Sequence, residues 1–173
     1  MPGPVFLRGD SIDLHVVDEA DLPFLQRLVN DPDVWYSLGR GSPVTSQDEQ
    51  EFYEQAVHAD DQEHLVMVAD DDPVGIIGLH RINPTWGTAE LGYFVDPDHH
   101  DQGYATEAVG LLTDYAFDHR RLAKLTAWTL ADNHASARVL EKNGYEEEGI
   151  LVDQAFVDGR RIDIRSFGLV APR

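Results

Sequence analysis

Residues 88–130 constrain the fold more than any other part of the chain. "TAELGYFV" (88–95) reads as a strand, closed by the turn-rich "DPDHHDQ". From Gly103 to about Arg120 the apolar residues Ala105, Ala108/Val109, Leu112 and Ala116 recur at helical spacing. "KLTAWTL" (124–130) is then a second strand. Strand, loop, long helix and strand make a crossover, so the two strands are expected to lie parallel and adjacent in one sheet. Ligands in such sheets bind outside the carboxyl ends of strands, where helix N-termini point. The loop before Gly103 belongs there.

The start of that helix offers backbone N–H groups without internal partners, together with the positive end of the helix dipole. These hold a phosphate without any cationic side chain. Gly103 permits a close backbone approach, and Ala105 keeps the next one small. The point matters because "HHDQGYATEA" (99–108) contains no Lys or Arg, in a chain of formal charge −19. A glycine opening a helix is also an ordinary turn residue, so the loop alone leaves both readings open.

Around this unit the pattern reads as follows. "SIDLHVV" (11–17) alternates as a strand, and "DEADLPFLQRLVND" is a helix carried by Leu22, Leu25 and Leu28/Val29. "TSQDEQEFYEQAVHA" is a second helix, capped by Thr45 or Ser46 with Asp48 or Glu49 three residues on. "HLVMVAD" and "PVGIIGLHRIN" are strands about an acidic turn. "SARVLEKNG" is a short helix stopped by Gly144, and Asp158-Gly159 joins a final hairpin. The order predicts a single α+β domain over 1–173, a mixed, mostly antiparallel twisted sheet of about six to seven strands with helices on both faces.

Composition excludes several classes. No run of about 18 apolar residues exists, so no membrane span is expected, and the N-terminal segment lacks the pattern of a secretory signal. There is no Cys, hence no disulfide, thiolate metal site or cysteine nucleophile; a cytoplasmic location is expected. The chain carries 21 Asp and 11 Glu against 11 Arg and only 2 Lys. Acidity spread in this way matches proteins that work in concentrated salt, where charge repulsion is screened; a field attracting cationic substrates is the rival explanation. Either excludes nucleic acid as a direct partner. "DPDHHD" has the residue types of a metal site, but side chains so close in sequence rarely converge on one ion, and no metal is expected.

"ELGYFVDPDHHDQGYATEAVGLLTDYAF", followed by "NHASARVLEKNGYEEEG" (133–149), resembles the coenzyme-A loop and following motif of the GNAT N-acetyltransferases. The wording is similar to the branch holding bacterial ribosomal-protein N-terminal acetyltransferases, and the resemblance extends from "LR" at 7 to "DGRRIDIRSFGL". It implies a GNAT fold, acetyl-CoA as co-substrate and a primary amine as acceptor, preferably a protein N-terminus, with a small amine or a non-catalytic CoA-binding module as alternatives. A homodimer through strand edges is a further expectation. The implied coenzyme contacts are Phe94 and Val95 (backbone), His100, Asp101, Gln102, Gly103, Tyr104, Ala105 and Thr106 in the loop, with Asn133 and Arg138, and Lys142 nearby. Two positions depart from the pattern. His100 stands where the family has Gln or Arg, and Asp101 is an acid that could cap the helix in place of phosphate.

Acetyl transfer to an amine needs a base for the ammonium, a donor for the carbonyl oxygen, and a hydrogen bond for the leaving thiolate. Glu90, on an otherwise apolar strand, is the candidate base; a carboxylate paired with an Arg is the alternative. Many family members carry a thiolate-protonating Tyr where this chain has Leu140; the resemblance points instead to Ser136, three residues after Asn133. Tyr145 belongs to the core. Trp35, Tyr36, His80 and Trp86 fall in segments that form the family's acceptor side.

Overall fold

The computed structural model describes residues 2–173. One sheet of eight strands runs through the molecule. In chain order these are β1 (Val5–Arg8), β2 (Asp13–Val16), β3 (Glu63–Ala69), β4 (Asp72–Asn83), β5 (Thr88–Val95), β6 (Lys124–Leu130), β7 (Glu146–Val157) and β8 (Arg160–Val170). Across the sheet the order is β1-β2-β3-β4-β5-β6-β8-β7. β5 and β6 are parallel and the other neighbours antiparallel. The count exceeds the expectation because β1 was not read as a strand: its four residues are too short for alternation to register.

Among the described residues five α-helices cover the sheet: α1 (Leu22–Val29), α2 (Pro32–Ser37), α3 (Ser46–Glu51), α4 (Tyr104–Asp118) and α5 (His134–Lys142). The central strands are buried on both faces, and their alternation divides the core. Leu65 and Met67 of β3 pack with Ala108, Val109, Leu112 and Ala116 of α4 and with Ala137 and Leu140 of α5. Val66 and Val68 of the same strand face the other way, onto Leu22 and Leu25 of α1. Helices therefore lie on both faces.

Local signals act as their chemistry requires. The Thr45 hydroxyl accepts from the Asp48 N–H at 3.1 Å while the Asp48 carboxylate accepts from the Thr45 N–H at 2.7 Å. Asp48 thus does the capping, which frees Glu49 to turn inward. Asp158 and Gly159 both take positive φ, 51° and 76°, as a two-residue hairpin turn requires. β7 lies at the sheet edge, with Ile150, Leu151, Val152 and Phe156 exposed.

Candidate active site

The site starts from a break in the sheet. β5 and β6 pair only at Thr88–Lys124, Ala89–Leu125 and Glu90–Thr126. Beyond Glu90, β5 stays with β4 as far as Val95, and β6 stays with β8 as far as Leu130. Each strand keeps its outer partner, so the two halves of the sheet part. Alternate amides of a strand point to opposite edges, so from Leu91 to Val95 those facing β6 have no ladder partner. A polar group inserted between the strands meets free donors there.

One cavity of about 640 Å³ lies at the open end of the wedge, between the start of α4 and the start of α5. Phe94, Val95, His100, Asp101, Gln102, Gly103, Tyr104, Ala105, Thr106, Asn133, Arg138 and Lys142 all line it. Gly103 is the N-cap of α4 with φ 81°, and no side chain caps the helix. The first intrahelical bond runs from the Glu107 N–H to the Gly103 carbonyl, so the amides of Tyr104, Ala105 and Thr106 have no partner within the helix. These donors, beside the small Ala105, fit the diphosphate of a coenzyme A.

One reading of this loop needs correction. Asp101 does not cap α4: it is exposed, and its backbone takes a left-handed φ of 60°. His100 Nε2 lies 3.1 Å from the Val95 carbonyl oxygen and ties the loop to the end of β5. The loop is further anchored by the buried Asp96, which accepts from Arg27 Nη2 at 3.0 Å and from the Asp98 N–H at 3.1 Å. Asp96 and His100 of "DPDHHD" thus serve as local fasteners; among the described residues no three His, Asp or Glu side chains converge as a metal site would need.

α5 supplies the other wall. Asn133 caps it, its Oδ1 accepting from the Ser136 N–H at 3.1 Å. Ser136 Oγ lies 2.7 Å from the hydroxyl of Tyr93, on the diverging part of β5. Leu140 is a buried hydrocarbon, 1% exposed. Tyr145 is a core residue as read, bonded to Thr113 at 2.9 Å.

A second cavity, of about 430 Å³, opens on the opposite side of the wedge. Tyr93, Phe94, Asn133 and Ser136 line both cavities, so the two meet where β5 and β6 part. Its walls include Arg40, Glu49, His64, His80, Glu90 and Thr129. Glu90 accepts from Arg81 Nη1 at 3.2 Å; its side chain is 24% exposed and that of Arg81 82%. His80 lies against β5 because residue 92 is glycine: a Cβ there would sit 3.3 Å from its Nε2. The His80 and His64 rings meet edge to face at 4.9 Å. Burial lowers the pKa of both and brings His64 down to about 4, so His64 is neutral near pH 7. The Thr129 hydroxyl is buried without a partner among the described residues.

Glu49 was missed as a site residue. It is 7% exposed and lines the second cavity, with no hydrogen-bond or ion-pair partner for its carboxyl among the described residues. Burial, offset in part by Arg40, pushes its pKa up to about 7. Its signal was hidden because Asp48 and Glu49 compete for the same cap in the sequence. Tyr93 was also missed, since a tyrosine on a strand is ordinary core material.

The remaining expected acceptor residues scatter. Trp86 is 75% exposed in the β4–β5 turn, where its N–H donates to Asn83 Oδ1; that turn precedes the N-terminal end of β5, away from the wedge. Trp35 is half-buried on α2 and lines neither cavity. Tyr36 lines the first cavity rather than the second, with its hydroxyl donating to Asp132 at 3.0 Å and accepting from Arg160 at 2.9 Å. Of the four, His80 alone lines the second cavity.

Residues 12–146, which contain the wedge, α4 and α5, match the family described as the acetyltransferase (GNAT) domain. The chain belongs to the GNAT acetyltransferases. This GNAT enzyme is an acetyl-CoA-dependent N-acetyltransferase. It is 33% identical over 100 residues to the uncharacterized N-acetyltransferase YoaA of Bacillus subtilis, a match covering 58% of this chain and 56% of that relative. It is 27% identical over 162 residues to a spermidine N(1)-acetyltransferase of Vibrio cholerae, 91% of each chain. A ribosomal-protein-serine acetyltransferase of Escherichia coli is 25% identical over 168 residues, 94% of each. In fold it is similar to the crystal structure of a Vibrio cholerae spermidine N-acetyltransferase in complex with CoA and spermine, with TM-score 0.89, 23% identity and coverage of 94% of this chain and 96% of that one.

Proposed function

We propose that this acetyltransferase moves the acetyl group of acetyl-CoA directly to a primary amine of a small cationic molecule, in a ternary complex without a covalent enzyme intermediate. The observation that carries the reading is the meeting of the two cavities at Tyr93, Phe94, Asn133 and Ser136, where β5 leaves β6. In this reading the amides of Gln102 to Thr106 hold the diphosphate, with Arg138 and Lys142 beside it. A free β5 amide near Phe94 or Val95 donates to the thioester carbonyl. The acceptor enters from the second cavity, and its ammonium loses a proton to Glu90, directly or through water. Arg81, largely in solvent, swings clear. Ser136 donates to the departing sulfur.

The carboxyl of Glu49, which lines the second cavity without a partner among the described residues, favours an acceptor with a second positive charge, because a partly desolvated carboxylate is stabilised by a cation beside it. A polyamine has that charge. The second reading is a protein N-terminus, supported by the likeness to the ribosomal-protein-serine acetyltransferase over nearly its whole length. A homodimer paired along the exposed β7 edge belongs to the same proposal.

A thiol-release assay with spermidine, short diamines, monoamines and peptides with free N-termini separates the readings. Polyamines are expected to give kcat/KM at least about tenfold above any monoamine, roughly one ion pair's worth of discrimination. A peptide preferred over every polyamine selects the second reading. No turnover with any amine would mean a CoA-binding module.

A further inference from the structure

The missing tyrosine at Leu140 leaves the leaving sulfur dependent on Ser136, and the structure shows what orients that serine. The Tyr93 hydroxyl lies 2.7 Å from Ser136 Oγ and 3.2 Å from the Ser136 carbonyl oxygen. A phenol has one hydrogen to give. If it goes to the carbonyl, the serine hydroxyl must donate back to the phenol oxygen and has nothing left for a ligand. If it goes to Oγ, the serine keeps its own hydrogen free to turn into the wedge. The contact to Oγ has the ordinary length of an O–H···O bond, and that to the carbonyl is long. Both residues line both cavities.

We infer that Tyr93 is a positioning residue: by donating to Ser136 Oγ it aims the serine hydrogen at the sulfur of the coenzyme thioester. The pair does together what a single tyrosine at position 140 would do alone. The nitrogen lone pair forms the C–N bond; of the two protons the ammonium loses, the first goes to Glu90 and the second, after attack, to water. The C–S bond breaks with its electron pair on sulfur, which leaves as a thiolate held by Ser136 Oγ–H. Solvent then protonates it, because an ordinary thiol has a pKa of about 8.5. Tyr93 keeps its proton throughout, in accord with burial pushing the phenol up to about 12.

The inference rests on the role proposed above for Ser136, and a double-mutant cycle separates the two. Ser136→Ala, Tyr93→Phe and the double variant are compared by kcat, by direct titration of coenzyme affinity and by Tm. S136A is expected to lower kcat by about 10²-fold, the usual effect of losing one donor to a developing charge. Y93F should lower kcat about 5- to 20-fold, with coenzyme affinity within about twofold of the parent, and the double variant should match S136A within about twofold. An equal loss from Y93F in the S136A background overturns the inference, as does normal turnover by Y93F beside a slow S136A. Normal turnover by S136A removes the role of Ser136 itself. If Y93F does not fold, 3,5-difluorotyrosine at position 93 keeps ring and hydroxyl while changing donor strength; an unchanged kcat then overturns the inference.

Discussion

Glu49 shows how one side chain links stability to the second cavity. Its carboxyl titrates near 7 in the folded protein, against 4.5 when free, because burial opposes the charged form. Between those values the folded state holds a proton that the unfolded chain has released, so raising the pH through this window destabilises the fold. His64 acts in the opposite sense, since its folded value of about 4 lies below 6.5 and stability rises with pH between them. Comparing the parent with Glu49→Gln cancels the histidine contribution. The stability of E49Q relative to the parent should grow by roughly 1–2 kcal/mol from pH 4.5 to 8, the full shift being discounted for solvent reaching the carboxyl from the cavity, read by urea unfolding at each pH. A difference that stays flat with pH contradicts a buried, unpaired carboxyl. E49Q should also raise KM for a polyamine about tenfold while leaving coenzyme affinity unchanged. Sequence could not point to this residue. Asp48 and Glu49 were equivalent until the Thr45 cap chose one, and only packing decides which acid faces the cavity.

Among the elements, the start of α4 was the most legible. Helical spacing from Ala105, the glycine before it and the preceding strand together placed a helix N-terminus at the carboxyl end of β5, and the structure has it there, without the Asp101 cap that the sequence allowed. Less legible was the divergence of β5 from β6. It depends on where hydrogen-bond pairing stops, and β6 is drawn away by β8, which arrives some forty residues later in the chain. Tyr93 gains its neighbour Ser136 only through that divergence, and Trp86 was misplaced because a turn residue so close to a site strand in sequence can lie at its far end. Gly103→Ala tests the element. A left-handed φ costs a non-glycine residue roughly 1–2 kcal/mol, and nothing lies within 4 Å of the added Cβ, so no clash adds to it. Tm should fall only about 2–6 °C while coenzyme affinity falls at least about tenfold, as the amides lose their alignment. An unchanged affinity would place the diphosphate elsewhere.

At the scale of the whole molecule the charge of −19 opposes compaction through self-repulsion. Most of the 32 acidic side chains have no cation to meet, for there are only 13 Lys and Arg. Self-repulsion therefore strains the fold in dilute buffer and is relieved as the Debye length shrinks from about 10 Å at 0.1 M salt to about 3 Å at 1 M. Tm should rise by several degrees over that range of KCl, and a flat or falling Tm would mean that repulsion is not a significant term. In the proposed reading main-chain amides hold the diphosphate and salt screens the neighbouring Asp101, so coenzyme affinity should hold over the same range. The most direct measurement is a crystal structure of the protein with acetyl-CoA. Diphosphate oxygens should lie within hydrogen-bond reach of the amides of residues 102–106, and the thioester between β5 and β6, its sulfur beside Ser136. A diphosphate bound away from the start of α4, or a thioester outside the wedge, would contradict the proposed function.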